Sequence, residues 1–471
     1  MSLTIALDRP DALDGPDVLD GSDRPAATPR RNTETRAFLN WLACWLVLPN
    51  LPFLPITLMG GPPRYPEVVL CGLAGLIARR LNYAGRAGLF LALMAYLVIS
   101  FIARMFNMAV TMILSVIGLV FDMNPQASIE YVAGAALLLL ILGTGLWLLR
   151  QPSDFRRPRW LFAAVGATLL LTGGDYAISK DAMGSYARTD PHGAPFSSAS
   201  SQAGFAALAD GKTNLLLIVV EAMGEPRDPA LRARLDAFWM RPELAGRYEM
   251  IHGTTPYFGS TTSGEIRELC GHWGNYDRIR APQPDCLPAL LARQGYRTTS
   301  YHAFEPEFFD RSRWYPLIGF QRMVFGQELL DHGAGLCPNV FPGACDRSVP
   351  GFIRRQLETA KQPQFIYWLT LNSHLPIVEN KALGTEHCEG LGAKFDGDFP
   401  MICRLFSIWG HTADALVKEI GRPDFPPTDI LIVGDHMPPF TQQRSRLQFD
   451  AERVPWILLR HRAAKAGTPG G

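Results

Sequence analysis

Two regimes of hydrophobic patterning divide this chain. From Ala37 to about Tyr176, long apolar runs recur at 37–59, 65–81, 87–103, 105–121, 131–149 and 160–174. From about Ser179 onward, short apolar runs alternate with amphipathic ones and charges are scattered. Residues 1–36 form a polar leader rich in Asp, Pro and Gly, too poor in apolar side chains to build a core, and read as disordered. They lack the apolar centre of a signal peptide. Residues 37–176 read as a transmembrane domain, 177–212 as a linker and 213–471 as a globular domain.

A helix that crosses a bilayer takes about 20 mostly apolar residues, so several of the six runs are at the short end. Basic residues set the topology, because Lys and Arg collect on the cytoplasmic side. Arg30, Arg31 and Arg36 precede the first run; Arg79, Arg80 and Arg86 separate the second and third; Arg150, Arg156, Arg157 and Arg159 precede the last. All three clusters share one side only if an odd number of crossings precedes the globular domain. The run 105–121 is therefore read as interfacial or re-entrant. About five spans remain, the leader is cytoplasmic, and the globular domain faces outward.

The cysteines point the same way. Of eight, Cys44 and Cys71 lie in apolar runs. Cys270, Cys286, Cys337, Cys345, Cys388 and Cys403 lie in the globular half, and an even count in an outward-facing domain predicts disulfides, here taken as three local pairs in chain order. The formal net charge of +1 gives no reason to expect a nucleic-acid partner.

In the globular half, "NLLLIVV" (214–220), "RTTSY" (297–301), "FIYWLT" (365–370), "DILIV" (429–433) and "PWILL" (455–459) have the near-continuous apolar character of strands buried on both faces. Helix-like stretches separate them, which predicts an α/β domain with a mostly parallel central sheet. Ionisable residues follow four of these strands: Glu221; His302; His374, in Asn372–Ser373–His374; and Asp435 with His436. Ligands of open α/β sheets bind beyond the carboxyl ends of the strands, so these groups should converge. Glu221, Asp435 and His436 suit one divalent cation, Zn or Mn, with Mg as a further option.

A hydroxyl would complete that set. "PYFGSTTSGEIRELCG" (256–271) places Ser260, Thr261, Thr262 and Ser263 at a helix start. These hydroxyls can cap the helix, with Ser263 as one candidate. One of them can instead be a nucleophile activated by the cation, with the helix N-terminus favouring an incoming phosphate.

The blocks "NLLLIVVEAMG", "GSTTSGE", "YHAFEPEFFDR", "TLNSHLP" and "LIVGDHMP", taken in order, resemble the sulfatase-like branch of the alkaline phosphatase superfamily. Within it the chain is most similar to membrane-bound lipoteichoic acid synthases and phosphoethanolamine transferases. That resemblance implies metal ligation by Glu221, Thr261, Asp435 and His436. It implies Thr261 as nucleophile, with Thr262 as the alternative, and substrate phosphate contacts from His302, Arg311 and His374. Phe304 and Phe309 stand where the synthases carry Asp and Trp. No Cys or Ser lies in a formylglycine context, which speaks against sulfate-ester hydrolysis.

The expected activity is a metal-dependent transfer of a phosphoethanolamine or phosphoglycerol head group from a phospholipid donor to an envelope glycan or lipid A-like acceptor. It would proceed through a phosphothreonine, in a multi-pass protein of a bacterial inner membrane with a periplasmic catalytic domain. A phosphodiesterase or phosphatase of the same fold, and a non-catalytic envelope regulatory module, are the alternatives.

Overall fold

The computed structural model describes residues 29–105, 110, 126, 129–180, 195–387, 391–440 and 442–462. The first helix starts at Pro29, inside the stretch read as leader. Its apolar part is α1 (Thr33–Leu58), followed by α2 (Tyr65–Ala78), α3 (Tyr83–Met105), α4 (Ile129–Leu148) and α5 (Pro158–Ser179). Pro49, Pro52 and Pro55 remove backbone donors from α1, and the helix passes through a π turn at Ala43–Val47 and a 3₁₀ turn at Leu51–Phe53 on the way. All of the run 105–121 except Met105 and Val110 lies outside the described residues.

Four of these helices are long and apolar enough to cross a membrane. The fifth, α2, has 14 residues. At about 1.5 Å per residue it spans roughly 21 Å, yet it runs the depth of the bundle. At its start the Arg64 backbone N–H donates to Asp175 Oδ2 near the end of α5, at 2.7 Å. At its end the Arg79 guanidinium stacks over Phe155, just before α5 begins, at 4.3 Å.

The three arginine-bearing segments meet at that second end. Arg157 pairs with Glu34 at 3.0 Å, Arg86 Nη1 donates to the Gln151 carbonyl at 3.3 Å, and Asn40 Nδ2 donates to Ser153 Oγ at 2.8 Å. At the opposite end, buried Glu67 accepts from Ser100 Oγ at 2.6 Å and from Arg104 Nη2 at 2.8 Å. The globular domain docks there: the Arg446 guanidinium donates to the Gly60 carbonyl, and Ile99 and Ala103 of α3 pack into the globular core. The domain therefore sits at the end of the bundle away from the arginine clusters.

The globular domain is built on β1 (Asn214–Val220), β2 (Tyr248–Pro256), β3 (Arg297–His302), β4 (Arg322–Val324), a small hairpin of β5 (Leu336–Cys337) and β6 (Gly343–Ala344), β7 (Gln364–Leu369), β8 (Thr428–Gly434) and β9 (Arg453–His461). The main sheet has the order β2-β9-β8-β1-β7-β3-β4. Its strands β8, β1, β7, β3 and β4 are parallel, while β9 runs antiparallel to β8 and β2 antiparallel to β9. Every residue of β1, β7 and β8 is buried, which is why these strands read as continuous apolar runs. The pattern does not predict β2, because its residues are largely exposed or half-buried, nor β4, which has three residues. Around the sheet lie α6 (Pro229–Trp239), α7 (Thr261–Cys270), α8 (Arg311–Leu317), α9 (Val349–Thr359) and α10 (Pro400–Ile420).

Two local disulfides are present, Cys270–Cys286 and Cys337–Cys345. Cys403 is disulfide-bonded too, and Cys388 lies outside the described residues. Cys44 and Cys71 are buried free thiols.

Candidate active site

β1 and β8 pair in parallel with Val220 opposite Gly434, so the next residues, Glu221 and Asp435, leave the sheet side by side at its carboxyl edge. The turn is tight. Ala222 takes the left-handed conformation at φ 57°, at a cost on the order of 1 kcal/mol. Asp435 Oδ1 holds it by accepting the Ala222 N–H at 2.8 Å and the His436 N–H at 2.6 Å. A Cβ on Gly434 would lie 1.8 Å from the Met223 carbonyl oxygen, so only glycine fits there. The Glu221 main chain is fixed on both sides: its N–H donates to Thr370 Oγ1 at 2.9 Å, and its carbonyl accepts from Ser373 Oγ at 2.7 Å.

Thr261 opens α7 on the same edge. Its Oγ1 donates to Glu221 Oε2 at 2.9 Å and lies 3.2 Å from His436 Nε2. His436 Nδ1 faces the Met437 carbonyl at 2.9 Å, so it carries the proton and leaves Nε2 bare. That bare nitrogen stands 3.3 Å from Asp435 Oδ2 and 3.5 Å from Glu221 Oε1. Asp435 Oδ2 is buried without a hydrogen-bond donor. Burial and the neighbouring Asp435 carboxylate push Glu221 well above the ordinary carboxylate range. Two buried carboxylates and a bare imidazole nitrogen, with ligand atoms all within 4.8 Å of one another, form an electron-rich set that a divalent cation would neutralise. The oxygen and nitrogen donors fit Zn or Mn.

The other hydroxyls point elsewhere. Thr262 Oγ1 lies 3.4 Å from Ser260 Oγ. Ser260 is the N-cap residue, but its side chain makes no capping bond, and Ser263 lies inside the helix. The expected cap role of Ser263 is not met. Gly264 brings α7 against the end of β8, where a Cβ would sit 3.0 Å from Asp435 Cα.

His302 ends β3 and is buried, with Nδ1 3.3 Å from the Leu369 carbonyl and Nε2 3.5 Å from Arg311 Nη1. Burial and the Arg311 charge hold its pKa well below the usual histidine value. Arg311 is as deep. Nη1 donates to the Phe308 carbonyl at 2.9 Å, and Nη2 and Nε meet the two Glu265 carboxylate oxygens at 2.8 and 3.4 Å. Burial works against its charge and Glu265 outweighs it, so its pKa is raised. The hydroxyls of Tyr315 and Tyr367 also donate to Glu265. The Phe308 and Phe309 rings lie 5.7 and 5.4 Å from the Arg311 guanidinium, and Phe304 packs edge-on against Phe308. His374 follows β7, with Nδ1 2.9 Å from the Leu375 carbonyl and its ring 4.3 Å from Phe341. Burial, with the Arg311 charge, pushes its pKa down to about 4.

Two roles escape a reading of the sequence. Glu265 is the counter-charge of Arg311. Arg267, fully buried, donates to the carbonyls of Gly434 at 2.7 Å and Asp435 at 3.1 Å, and pairs with Glu268 at 2.6 Å. In "GEIRELCG" these charges carry the look of a solvated helix face. No signal in the sequence marks them: all of Thr261–Leu269 is buried, which the chain shows only when folded.

Residues 243–395 match the family model described as "Sulfatase". Over 247 residues the chain is 25% identical to the "Putative cyclic beta-1,2-glucan modification protein" of Rhizobium meliloti (strain 1021), covering 49% of this chain and 36% of that protein. It thus spans about a third of the length of the curated relative it matches. Among solved structures, the lipoteichoic acid synthase LtaP from Listeria monocytogenes is 16% identical over 55% of this chain and 68% of its own, with a TM-score of 0.39. The lipooligosaccharide phosphoethanolamine transferase EptA from Neisseria meningitidis is 12% identical over 91% of this chain and 89% of its own, with a TM-score of 0.42. The zinc complex of the C-terminal periplasmic domain of EcEptC from Escherichia coli is 13% identical over 54% and 74%, with a TM-score of 0.36. The matched residues lie within the region 213–471 where the motifs lead one to expect a sulfatase-like domain.

Proposed function

We propose that this sulfatase-like domain, carried on a membrane bundle, transfers a phosphoethanolamine or phosphoglycerol head group from a phospholipid to an envelope glycan or lipid acceptor. One observation carries the reading: the Thr261 hydroxyl, at a helix N-terminus, lies 2.9 Å from Glu221 and 3.2 Å from His436. A hydroxyl that only capped a helix would face backbone N–H groups, not a carboxylate and an imidazole.

Glu221, Asp435, His436 and Thr261 would hold the cation. When bound, it polarises a phosphate oxygen and makes the hydroxyl more acidic. Glu221 Oε2 orients the Thr261 O–H and is the nearest acceptor for its proton. Thr261 Oγ1 attacks the donor phosphorus, the P–O bond to diacylglycerol breaks, and the head group stays on Thr261. The acceptor hydroxyl then attacks the same phosphorus and releases the threonine oxygen. His302, Arg311 and His374 stabilise the phosphate oxygens as charge develops. Arg311 keeps its charge because Glu265 supports it, and His374 stays neutral at pH 7.

The reading places the domain in the periplasm of a bacterial inner membrane, above a donor lipid in the outer leaflet. The similarity to a cyclic β-1,2-glucan modification protein of Rhizobium meliloti favours a glycan acceptor. The test is intact-protein mass spectrometry of the full-length protein incubated with phosphatidylethanolamine or phosphatidylglycerol without acceptor. A head-group adduct on the peptide containing Thr261 supports the transfer and names the donor. Lipid turnover without any adduct, insensitive to Thr261→Ala, overturns it.

A further inference from the structure

Between β5 and β6 the chain makes a short loop closed by the Cys337–Cys345 disulfide. The loop lies between the two segments that carry His302 and His374. On one side, the Ala344 N–H donates to the carbonyl of Ala303, the residue after His302, at 2.9 Å. A Cβ on Gly343 would lie 2.3 Å from that same oxygen and 2.6 Å from Leu371 Cδ2, so the loop fits only as glycine.

On the other side the loop grips the turn after β7. Asn339 Nδ2 donates to the carbonyls of Asn372 and His374, both at 3.4 Å, and its Oδ1 accepts the Val378 N–H at 3.4 Å. Asn372 Nδ2 donates back to the Ala344 carbonyl at 3.2 Å. Just past the disulfide, Asp346 Oδ2 accepts the N–H groups of Leu371 at 2.9 Å and Asn372 at 2.6 Å. The Phe341 ring packs on His374 at 4.3 Å and on Phe304 and Phe308 at 5.9 and 5.4 Å. One ring therefore touches the surroundings of both histidines. Asn339 and Phe341 are 1% and 2% exposed, which a solvent-facing loop has no reason to be.

We propose that the loop closed by Cys337–Cys345 is a clamp that fixes His374 and the His302 turn relative to each other before substrate arrives, with Asn339 and Phe341 as its positioning residues. The catalytic consequence rests on the phosphate-contact role given above to His374. An irregular loop costs conformational entropy to order, and the cross-link removes part of that cost by restricting the unfolded chain. Charge-stabilising groups accelerate transfer only when they are already in place.

Hydrogen exchange on the full-length protein in detergent tests the clamp without reference to activity. In Cys337→Ser with Cys345→Ser, the segment 371–378 should exchange faster while β1 keeps its protection. If that pair fails to fold, Phe341→Ala and Asn339→Ala should give the same local pattern. Unchanged protection at 371–378 in the folded variants overturns the clamp. The kinetic arm asks whether Phe341 acts through His374. Phe341→Ala should lower kcat by about tenfold, with KM and metal content little changed, and should do nothing further in a His374→Ala background. Fully additive losses overturn the positioning role. A fully active His374→Ala would instead remove the phosphate-contact reading, and the exchange result would still decide the clamp.

Discussion

Arg311 and Glu265 form an ion pair sealed from solvent, Nη2 to Oε2 at 2.8 Å. Glu265 lies one turn beyond Thr261 on α7, so the pair ties the helix bearing the hydroxyl to the residues around His302. Removing one partner of a buried pair strands a charge, at about 3–5 kcal/mol. Glu265→Ala should therefore destabilise the folded protein by that order. Glu265→Leu combined with Arg311→Leu should cost less than either single change, because no charge is left alone. Unfolding of the full-length protein in detergent measures both. A neutral Glu265→Ala would contradict the pair's place in the core.

Thr261 and Thr262 differ by one position and by what their oxygens meet. Thr261→Ala should reduce transfer by at least about a thousandfold while metal still binds through Glu221, Asp435 and His436. Thr262→Ala should stay within about tenfold of wild type, since its hydroxyl lies beside Ser260. Steady-state transfer assays with metal analysis separate the two. The reverse pattern would move the nucleophile by one residue.

Metal removal gives a third check. A chelator should abolish transfer, and added Zn or Mn should restore it. Asp435→Asn should lower metal occupancy, because Oδ2 has no donor to satisfy it and a neutral amide offsets no cation charge. Full activity of the metal-free protein would contradict the ligand assignment.

Asp346 should make stability depend on pH. Burial raises its pKa from 3.8 to about 7. The unfolded chain releases this proton near 3.8 and the folded chain near 7, so stability falls as pH rises through that window. At about 1.4 kcal/mol per pKa unit, the total is about 4 kcal/mol. Asp346→Asn cannot ionise and keeps an oxygen for Leu371 and Asn372. Relative to wild type it should gain stability between pH 4 and pH 8, by that order. Parallel curves for the two proteins would place the ionised carboxylate comfortably in the fold.

The apolar runs of the membrane half and five strands of the globular half are legible in the sequence, because lipid-facing helices and strands buried on both faces must be apolar along their whole length. Glu221, His302, His374, Asp435 and His436 are legible for the same reason: each stands at the carboxyl end of such a strand or in the short turn that follows it. What α7 does is not legible. Thr261 and Thr262 are adjacent, and only the approach of β1 and β8 from distant parts of the chain puts a carboxylate and an imidazole beside one of them. Glu265 and Arg267 look like surface charges until Arg311, Tyr315, Tyr367 and the carbonyls of β8 close around them. The register of the antiparallel edge, β2 on β9, and the grip of Asn339 and Phe341 on the His374 turn have the same origin. Local pattern records how much apolar surface a segment must hide, whereas the partner of a buried polar group is set by residues that meet it only after the chain has folded.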